Sequence, residues 1–173
     1  MSKDILKGKK ILIVDDERDI LETLKELLED CNIDAAPDYE TALKFLEKES
    51  YDAAILDIMG VRGYDLLKIT KEKGIPTLML TAHALNPDSL VRSLKEGAEA
   101  YIPKDKIYEI DIYLEEIIEA NLKGKGRSVK WYKRLKPFFD KKFGSSWQEK
   151  HQEFWKDFHE TFMIKREELE QVL

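Results

Sequence analysis

The chain has 173 residues, of which 43% are hydrophobic and 37% charged, and its net charge is −6. This length is enough for one ordinary domain with a buried core and a small appendage. The single cysteine, Cys31, excludes an internal disulfide, and no apolar run is long enough to span a bilayer. The lone cysteine makes a cytoplasmic location the simplest expectation, and the N-terminal region has no secretory apolar stretch.

Up to about residue 122, short apolar runs alternate with helical patterns. Continuous apolar runs of this length predict the buried strands of a parallel sheet. The predicted strands end at Val14, Ala36, Leu56, Leu80 and Pro103. The expected fold class is therefore α/β, with a doubly wound five-stranded parallel sheet and helices on both faces.

Two of the predicted helices carry further signals. Asn86-Pro87 predicts an N-cap followed by proline at the first helical position, and Gly97 predicts the end of that helix. The last helix of the alternating region has apolar residues beyond one stripe. We interpret this excess either as a docking surface, for which the tail is a candidate, or as a more buried helix; the residues are Tyr108, Ile112 and Tyr113.

Composition changes sharply near residue 124. Residues 1–124 carry 17 basic and 27 acidic residues, whereas residues 125–150 carry nine basic and two acidic. All three tryptophans and 10 of the 17 aromatic residues lie after this point. We therefore expect two units, residues 1–123 and a helical C-terminal extension, residues 124–173.

The extension has the pattern of a helical hairpin. An aromatic stripe runs from Trp131 to Phe143, and Pro137 should kink this helix or start a new one. Residues 144–146 predict a break, and Ser146 with Glu149 fits a capping box at the start of a second helix. The basic and aromatic residues leave three functions open. These are packing on this chain or on a second copy, docking of a partner protein, and binding of nucleic acid.

Polar residues follow four of the predicted strands directly. They are Asp15 and Asp16, then Asp57, Thr81 and Lys104. Because the carboxyl ends of parallel strands meet at one edge, these side chains should converge there. Carboxylates suit Mg²⁺, one carboxylate could act as a nucleophile toward a phosphoryl group, and an ammonium could neutralise the transferred charge.

Four short motifs contain these residues: VDDE at 14–17, LDIM at 56–59, MLTA at 79–82 and YIPK at 101–104. Together they resemble the receiver domain of two-component response regulators, over about residues 8–122. The resemblance implies the flavodoxin-like receiver fold. It further implies Asp57 as the phosphoacceptor, and Mg²⁺ held by the side chains of Asp15, Asp16 and Asp57 with the main-chain carbonyl of Met59.

At the other matching positions, the resemblance implies phosphate contacts for Thr81, Ala82 and Lys104 and a switch pair of Thr81 and Tyr101. The implied phosphodonor is a sensor histidine kinase or a phosphotransfer protein. Such a protein is not a classical enzyme, although it catalyses its own phosphorylation and dephosphorylation. Without a recognisable output domain, we expect it to signal through protein–protein contacts with a target protein or a second copy.

The sequence departs from the family pattern beside two of these residues. No proline lies four positions after Asp57, and Gly63 comes two positions early, which predicts a shortened loop. Lys104 is followed by Asp105 instead of the usual proline.

One alternative function is a DNA-binding regulator that uses the basic tail, although we do not expect nucleic acid as a partner. A metal-dependent phosphatase would need a general acid where this chain has Met59.

Overall fold

Five parallel strands form the centre of the protein in the order β2-β1-β3-β4-β5. The computed structural model describes residues 5–124 and 127–164. The strands are β1 Lys10–Val14, β2 Asn32–Ala36, β3 Ala53–Leu56, β4 Thr77–Thr81 and β5 Ala100–Pro103. β4 thus ends one residue later than predicted, so Thr81 belongs to the strand. The order reverses between β1 and β3, which opens a crevice at their carboxyl ends.

Five helices alternate with these strands. They are α1 Arg18–Leu27, α2 Tyr39–Lys48, α3 Gly63–Glu72, α4 Pro87–Lys95 and α5 Ile110–Leu122, the last preceded by a 3₁₀ helix, Lys104–Glu109. The Asn86 side chain accepts a hydrogen bond from the Ser89 amide, which confirms the predicted N-cap of α4. α1 packs against α5 and α2 against α3, so helices cover both faces of the sheet as expected.

The three central strands are buried on both faces, which explains their continuous apolar runs. All residues of β3 and β4 are buried, as are Ile11–Val14 of β1. The parallel register places Val14 beside Leu56 and Leu56 beside Met79. The residues that follow β1 and β3 therefore emerge side by side at the carboxyl edge.

Within the extension, residues 127–164 form an antiparallel helical hairpin. Its helices are α6 Lys130–Phe143 and α7 Gln152–Phe158, joined through a 3₁₀ helix, Trp147–His151, and followed by a π-helical turn, His159–Ile164. Phe143 near the end of α6 contacts Trp147, whereas Tyr132 near its start contacts Trp155 and Phe158. Pairs that run in opposite directions along the two arms define a hairpin.

Two expectations for the extension are not met. Of the two alternatives for Pro137, the start of a new helix is wrong, because α6 continues through this residue. Pro137 and Lys133, whose carbonyl loses its helical partner to the proline, are both exposed residues. The capping box is also wrong, because the Ser146 side chain accepts no capping hydrogen bond. The Glu149 amide instead donates to the Ser146 carbonyl at 3.1 Å, in a 3₁₀ turn.

The hairpin packs on the α/β unit along β5, α4 and α5. Tyr113 of α5 is fully buried and Arg134 of α6 lies over its ring, so part of the predicted docking surface receives the tail. Tyr108 and Ile112 remain exposed. The predicted boundary at 123/124 is followed directly by residues 125–126, which lie outside the described residues. The end of the extension, residues 165–173, lies outside them as well. Among the residues described, no helix has the length and apolarity needed to cross a membrane.

Candidate functional site

A buried lysine joins two aspartates at the carboxyl edge of the sheet. The Lys104 Nζ atom lies 2.9 Å from an Asp15 carboxylate oxygen and 2.9 Å from an Asp57 carboxylate oxygen. Asp57 is 1% exposed, Asp15 2% and Lys104 9%. The structure therefore brings together three polar side chains that the sequence places at the ends of three different strands.

Main-chain hydrogen bonds fix the two aspartates in place. The Asp57 amide donates to the Val14 carbonyl at 2.9 Å, and the Asp15 amide donates to the Ala36 carbonyl at 3.1 Å. These bonds extend the sheet ladders by one residue. The second carboxylate oxygen of Asp57 accepts from the Ile58 amide at 2.7 Å. Each carboxylate therefore emerges from a rigid strand end.

The charges of this cluster are strongly coupled. Burial raises the pKa of the Asp15 carboxyl to about 6, although the hydrogen bond from Lys104 acts in the opposite direction. Burial alone would lower the pKa of the Lys104 ammonium, but its hydrogen bonds to Asp15 and Asp57 raise the pKa above its usual value. Lys104 therefore stays charged and offsets part of the cost of the buried carboxylates.

Three consecutive carboxylates lie close enough to hold one cation. Carboxylate oxygens of Asp15, Asp16 and Glu17 lie within 4.8 Å of one another. Carboxylate oxygens are ligands of the kind that Mg²⁺ takes, and this ion commonly uses one or two carboxylates and keeps several waters. Asp57 is not one of this group, and Met59 is 53% exposed. Ligation by Asp57 and by the Met59 carbonyl stays a prediction.

Glu17 belongs to the site, although sequence reasoning gave it no role. One of its carboxylate oxygens lies 3.4 Å from Lys104 Nζ and 3.4 Å from His83 Nε2. The Glu17 amide donates to the Asp15 carboxylate at 2.9 Å, which turns the chain just before α1. A third carboxylate directly after an acidic pair was the sequence signal available for this residue.

The short loop after Asp57 depends on two glycines. A Cβ atom on Gly63 would lie 2.0 Å from the Asp57 carbonyl oxygen, and one on Gly60 would lie 2.2 Å from an Asp16 carboxylate oxygen. Gly60 and Arg62 both have positive φ, 86° and 55°. The loop thus folds tightly over the end of β3, and the early position of Gly63 is what permits that approach.

Thr81 and Tyr101 meet the same loop, which connects β4 to α4. The Thr81 hydroxyl accepts a hydrogen bond from the Ala84 amide at 3.3 Å. The Tyr101 hydroxyl donates to the Ala84 carbonyl at 2.5 Å and accepts from the Asn86 amide at 3.2 Å. Thr81 and Tyr101 are fully buried, whereas Ala82 is exposed. Their predicted roles toward phosphate are not tested by this geometry.

The response regulator receiver domain family matches residues 11–113, which is more than half of the chain. The chain therefore belongs to this family, and it contains the receiver domain of a two-component response regulator. The expected resemblance and the expected fold class are both confirmed.

Named relatives agree with this assignment. The regulatory protein VanRc of Enterococcus gallinarum is 36% identical over 102 residues, which cover 56% of this chain and 44% of VanRc. The transcriptional regulatory protein CpxR of Escherichia coli K12 is 41% identical over 100 residues, which cover 55% of this chain and 42% of CpxR. The matched segments thus span less than half the length of these two relatives.

A solved structure agrees in fold. A CheY-like response regulator receiver domain protein from Methanospirillum hungatei JF-1 superposes with a TM-score of 0.61 at 30% identity. The match covers 68% of this chain and 99% of that protein. The matched length is about that of the α/β unit, and about a third of this chain lies outside the match.

Proposed function

We propose that residues 1–123 accept a phosphoryl group on Asp57 from a histidine kinase or a phosphotransfer protein, in a reaction that requires Mg²⁺. One observation carries the proposal: Lys104 Nζ lies 2.9 Å from both Asp57 and Asp15 at a buried edge. A carboxylate held beside a fixed ammonium is placed to receive a phosphoryl group whose charge needs neutralising.

In the proposed transfer, an Asp57 carboxylate oxygen attacks phosphorus, the bond from phosphorus to the donor's histidine nitrogen breaks, and an acyl phosphate forms. Lys104 then donates to a phosphoryl oxygen. Asp15 and Asp16 would hold the Mg²⁺ ion with Asp57 and the Met59 carbonyl, and Glu17 lies within the same carboxylate cluster. When bound, the ion supplies positive charge beside the phosphoryl oxygens. Later attack by water on phosphorus returns the Asp57 carboxylate and releases inorganic phosphate.

Thr81 and Ala82 are the proposed further contacts of the phosphoryl group, through the hydroxyl of Thr81 and the main chain of Ala82. Thr81 and Tyr101 would form the switch pair. Support comes from the loop that both residues hold, because Thr81 bonds the Ala84 amide and Tyr101 bonds the Ala84 carbonyl. A movement of the Thr81 side chain would therefore reach Tyr101 through the main chain of Ala84.

Residues 124–173 form the proposed output unit, which acts through protein–protein contact with a target protein or a second copy. The burial of the aromatic residues supports this proposal. Six of them are at most 6% exposed, so they are core and not platforms for bases: Trp131, Tyr132, Phe139, Trp147, Trp155 and Phe158. In this proposal the protein is a cytoplasmic signalling module and not a classical enzyme.

A DNA-binding regulator is the second candidate, and the relatives favour it, since CpxR is named a transcriptional regulatory protein. Within this chain, support is electrostatic only. Lys130, Lys133 and Lys141 lie exposed along one side of α6, where they could contact phosphates. A salt-dependent shift of a labelled DNA duplex would favour this candidate over protein–protein output.

Intact mass spectrometry tests the proposed chemistry. The protein is incubated with acetyl phosphate and Mg²⁺, beside Asp57→Ala and beside Asp157→Ala, an exposed aspartate of the hairpin, as the matched control. We expect one acid-labile phosphoryl adduct in the wild type and in Asp157→Ala, and none in Asp57→Ala or with EDTA. If a phosphorylated kinase also gives no adduct on the wild type, the proposal fails.

A further inference from the structure

One side chain of the hairpin lies directly against the proposed switch tyrosine. The ring of Phe139 in α6 lies with its centroid 6.2 Å from that of Tyr101 in β5. Both side chains are fully buried. While Phe139 occupies this position, the Tyr101 ring cannot move outward into the same space, because protein interiors are close-packed.

Polar contacts hold the hairpin at the same place on the α/β unit. Lys150 and His151 each lie 2.8 Å from the Asp88 carboxylate, in the first turn of α4. On α5, Arg134 pairs with Glu116 at 2.7 Å. These contacts lie on both sides of β5, so Phe139 meets Tyr101 in a fixed orientation.

Opposite charge favours this docked position. Residues 1–124 carry ten more acidic than basic residues, and residues 125–150 carry seven more basic than acidic. Lys150 and His151 place this positive charge 2.8 Å from the Asp88 carboxylate on α4, and their hydrogen bonds lower the pKa of that carboxyl. Exposed ion pairs of this kind orient a docked element more than they stabilise it.

A continuous set of contacts leads from Phe139 to the phosphoacceptor edge. Tyr101 packs on Phe139, and its hydroxyl bonds both the Ala84 carbonyl and the Asn86 amide. The Ala84 amide in turn donates to the Thr81 hydroxyl. Thr81 ends β4, the strand next to β3, and Asp57 follows β3 directly.

We infer that Phe139 is a positioning residue for Tyr101, and that docking of the hairpin is thereby coupled to phosphorylation of Asp57. The coupling, though not the positioning, rests on the proposed function. The docked hairpin holds Tyr101 inward and the β4–α4 loop in one arrangement, which lowers the cost of ordering that loop around a phosphoryl group. Coupling between two sites is reciprocal, so phosphorylation also tightens docking.

The positioning can be measured without any phosphodonor. NMR-detected amide exchange at Asn86, whose amide donates to the Tyr101 hydroxyl, is compared in the full-length wild type, Phe139→Ala and Phe143→Ala. Phe143 is the matched control because it stacks on Phe139 and contacts Trp147, within the hairpin. We expect exchange at least fivefold faster in Phe139→Ala only, with Phe139→Leu restoring most of the protection. Equal acceleration in both alanine variants, or in neither, would overturn the positioning role.

The coupling is measured as the rate of adduct formation with acetyl phosphate and Mg²⁺. Because a loop that is already ordered lowers the barrier to phosphoryl transfer, we expect Phe139→Ala to react at least fivefold more slowly than the wild type and Phe139→Leu to recover, while Phe143→Ala stays within twofold. If amide exchange at Asn86 is faster in Phe139→Ala alone but the rate of adduct formation is unchanged, the coupling is overturned. If the wild type itself forms no adduct, the proposed function and the coupling both fail, whereas the exchange result still decides the positioning role. Amides of β1 and β3 report whether each variant is folded.

Discussion

The carboxyl edge around Asp57 and the aromatic interior of the hairpin are both buried, yet they are built in opposite ways. At the edge, Lys104 bridges Asp15 and Asp57 with hydrogen bonds of 2.9 Å. In the hairpin, Tyr132 packs its ring 5.5 Å from Trp155 and 5.0 Å from Phe158. One region is a network of charges, and the other is a set of ring contacts.

The difference shows which part can receive a signal and which part can pass it on. Hydrogen bonds at the edge can be exchanged for bonds to a phosphoryl group, so this region can respond to chemistry. Ring contacts have no such partner to exchange, and they respond only when the shape of their surroundings changes. Tyr101 belongs to both regions, since its hydroxyl bonds the Ala84 carbonyl and its ring packs on Phe139.

The largest effect is expected from removing the charge that joins the two aspartates. Lys104→Met should lower the free energy of unfolding by about 3–5 kcal/mol, because two buried carboxylates lose their shared cation. Added Mg²⁺ should restore part of this loss, and adduct formation should remain slow. Urea denaturation with and without Mg²⁺ measures the effect. Exposed Lys68→Met is the control, expected within about 0.5 kcal/mol of the wild type; an equal loss in both would contradict the role of the bridge.

A smaller effect is expected from the loop that follows Asp57. Gly63→Ala places a Cβ atom 2.0 Å from the Asp57 carbonyl oxygen, so the loop must move. We expect a loss of about 1–3 kcal/mol in unfolding free energy and a changed phosphorylation rate. Gly74→Ala is the control for the added methyl group, since its Cβ atom would meet no atom within 4 Å; unlike Gly63, Gly74 has a positive φ of 72°, so any loss of stability there reports backbone strain alone. If Gly63→Ala and Gly74→Ala are phosphorylated at the same rate, the tight loop does not affect phosphorylation of Asp57.

In the hairpin, a substitution that removes one hydrogen bond should lower the free energy of unfolding without changing the rate of phosphorylation. The Trp147 indole nitrogen donates to the Asp140 carboxylate at 2.7 Å. Trp147→Phe should therefore cost about 1–2 kcal/mol in unfolding free energy and leave the adduct rate within twofold. Asp140→Asn keeps an acceptor for the indole and loses only the partly exposed ion pair with Lys136, so it should cost less. A cost for Asp140→Asn as large as that for Trp147→Phe would argue against this hydrogen bond.

The smallest effect concerns Cys31, which precedes β2 and so lies at the opposite end of the sheet from Asp57. Burial raises the pKa of its thiol to about 11, and the thiol donates to the Leu6 carbonyl. Because the thiolate is the reactive form, alkylation by iodoacetamide at pH 8 should be about a hundredfold slower than for a free cysteine. The rate should rise up to about pH 11. Because the thiol ionises more readily in the unfolded chain, its contribution to stability should fall over the same range. An alkylation rate sensitive to phosphorylation would contradict this separation from the site.

The strand ends could be predicted because a strand buried on both faces leaves a continuous apolar run. The positions of Asp15, Asp57 and Lys104 at one edge follow from that pattern, although their roles toward phosphate stay predictions. The contact between Glu17 and Lys104 could not be derived in the same way, because it depends on how the chain turns into α1. The tight loop likewise depends on positive φ at Gly60 and Arg62.

The hairpin was harder to predict because helical periodicity identifies an apolar face but not what the face contacts. The aromatic stripe predicted two packed helices, and these were found. The contact between Phe139 and Tyr101 joins residues 38 positions apart and has no local signal. Ser146 failed as a cap because a main-chain carbonyl satisfies the Glu149 amide in its place.

The distribution of tryptophan gives the chain an internal optical probe. Trp131, Trp147 and Trp155 all lie in the hairpin, at 1%, 6% and 3% exposure, and the α/β unit has none. Trp147 and Trp155 form an edge-to-face pair with centroids 5.2 Å apart. Indole emission therefore originates from the hairpin alone, while circular dichroism reports the helices of the whole chain. A difference between the two melting curves would reveal the hairpin opening before the sheet unfolds.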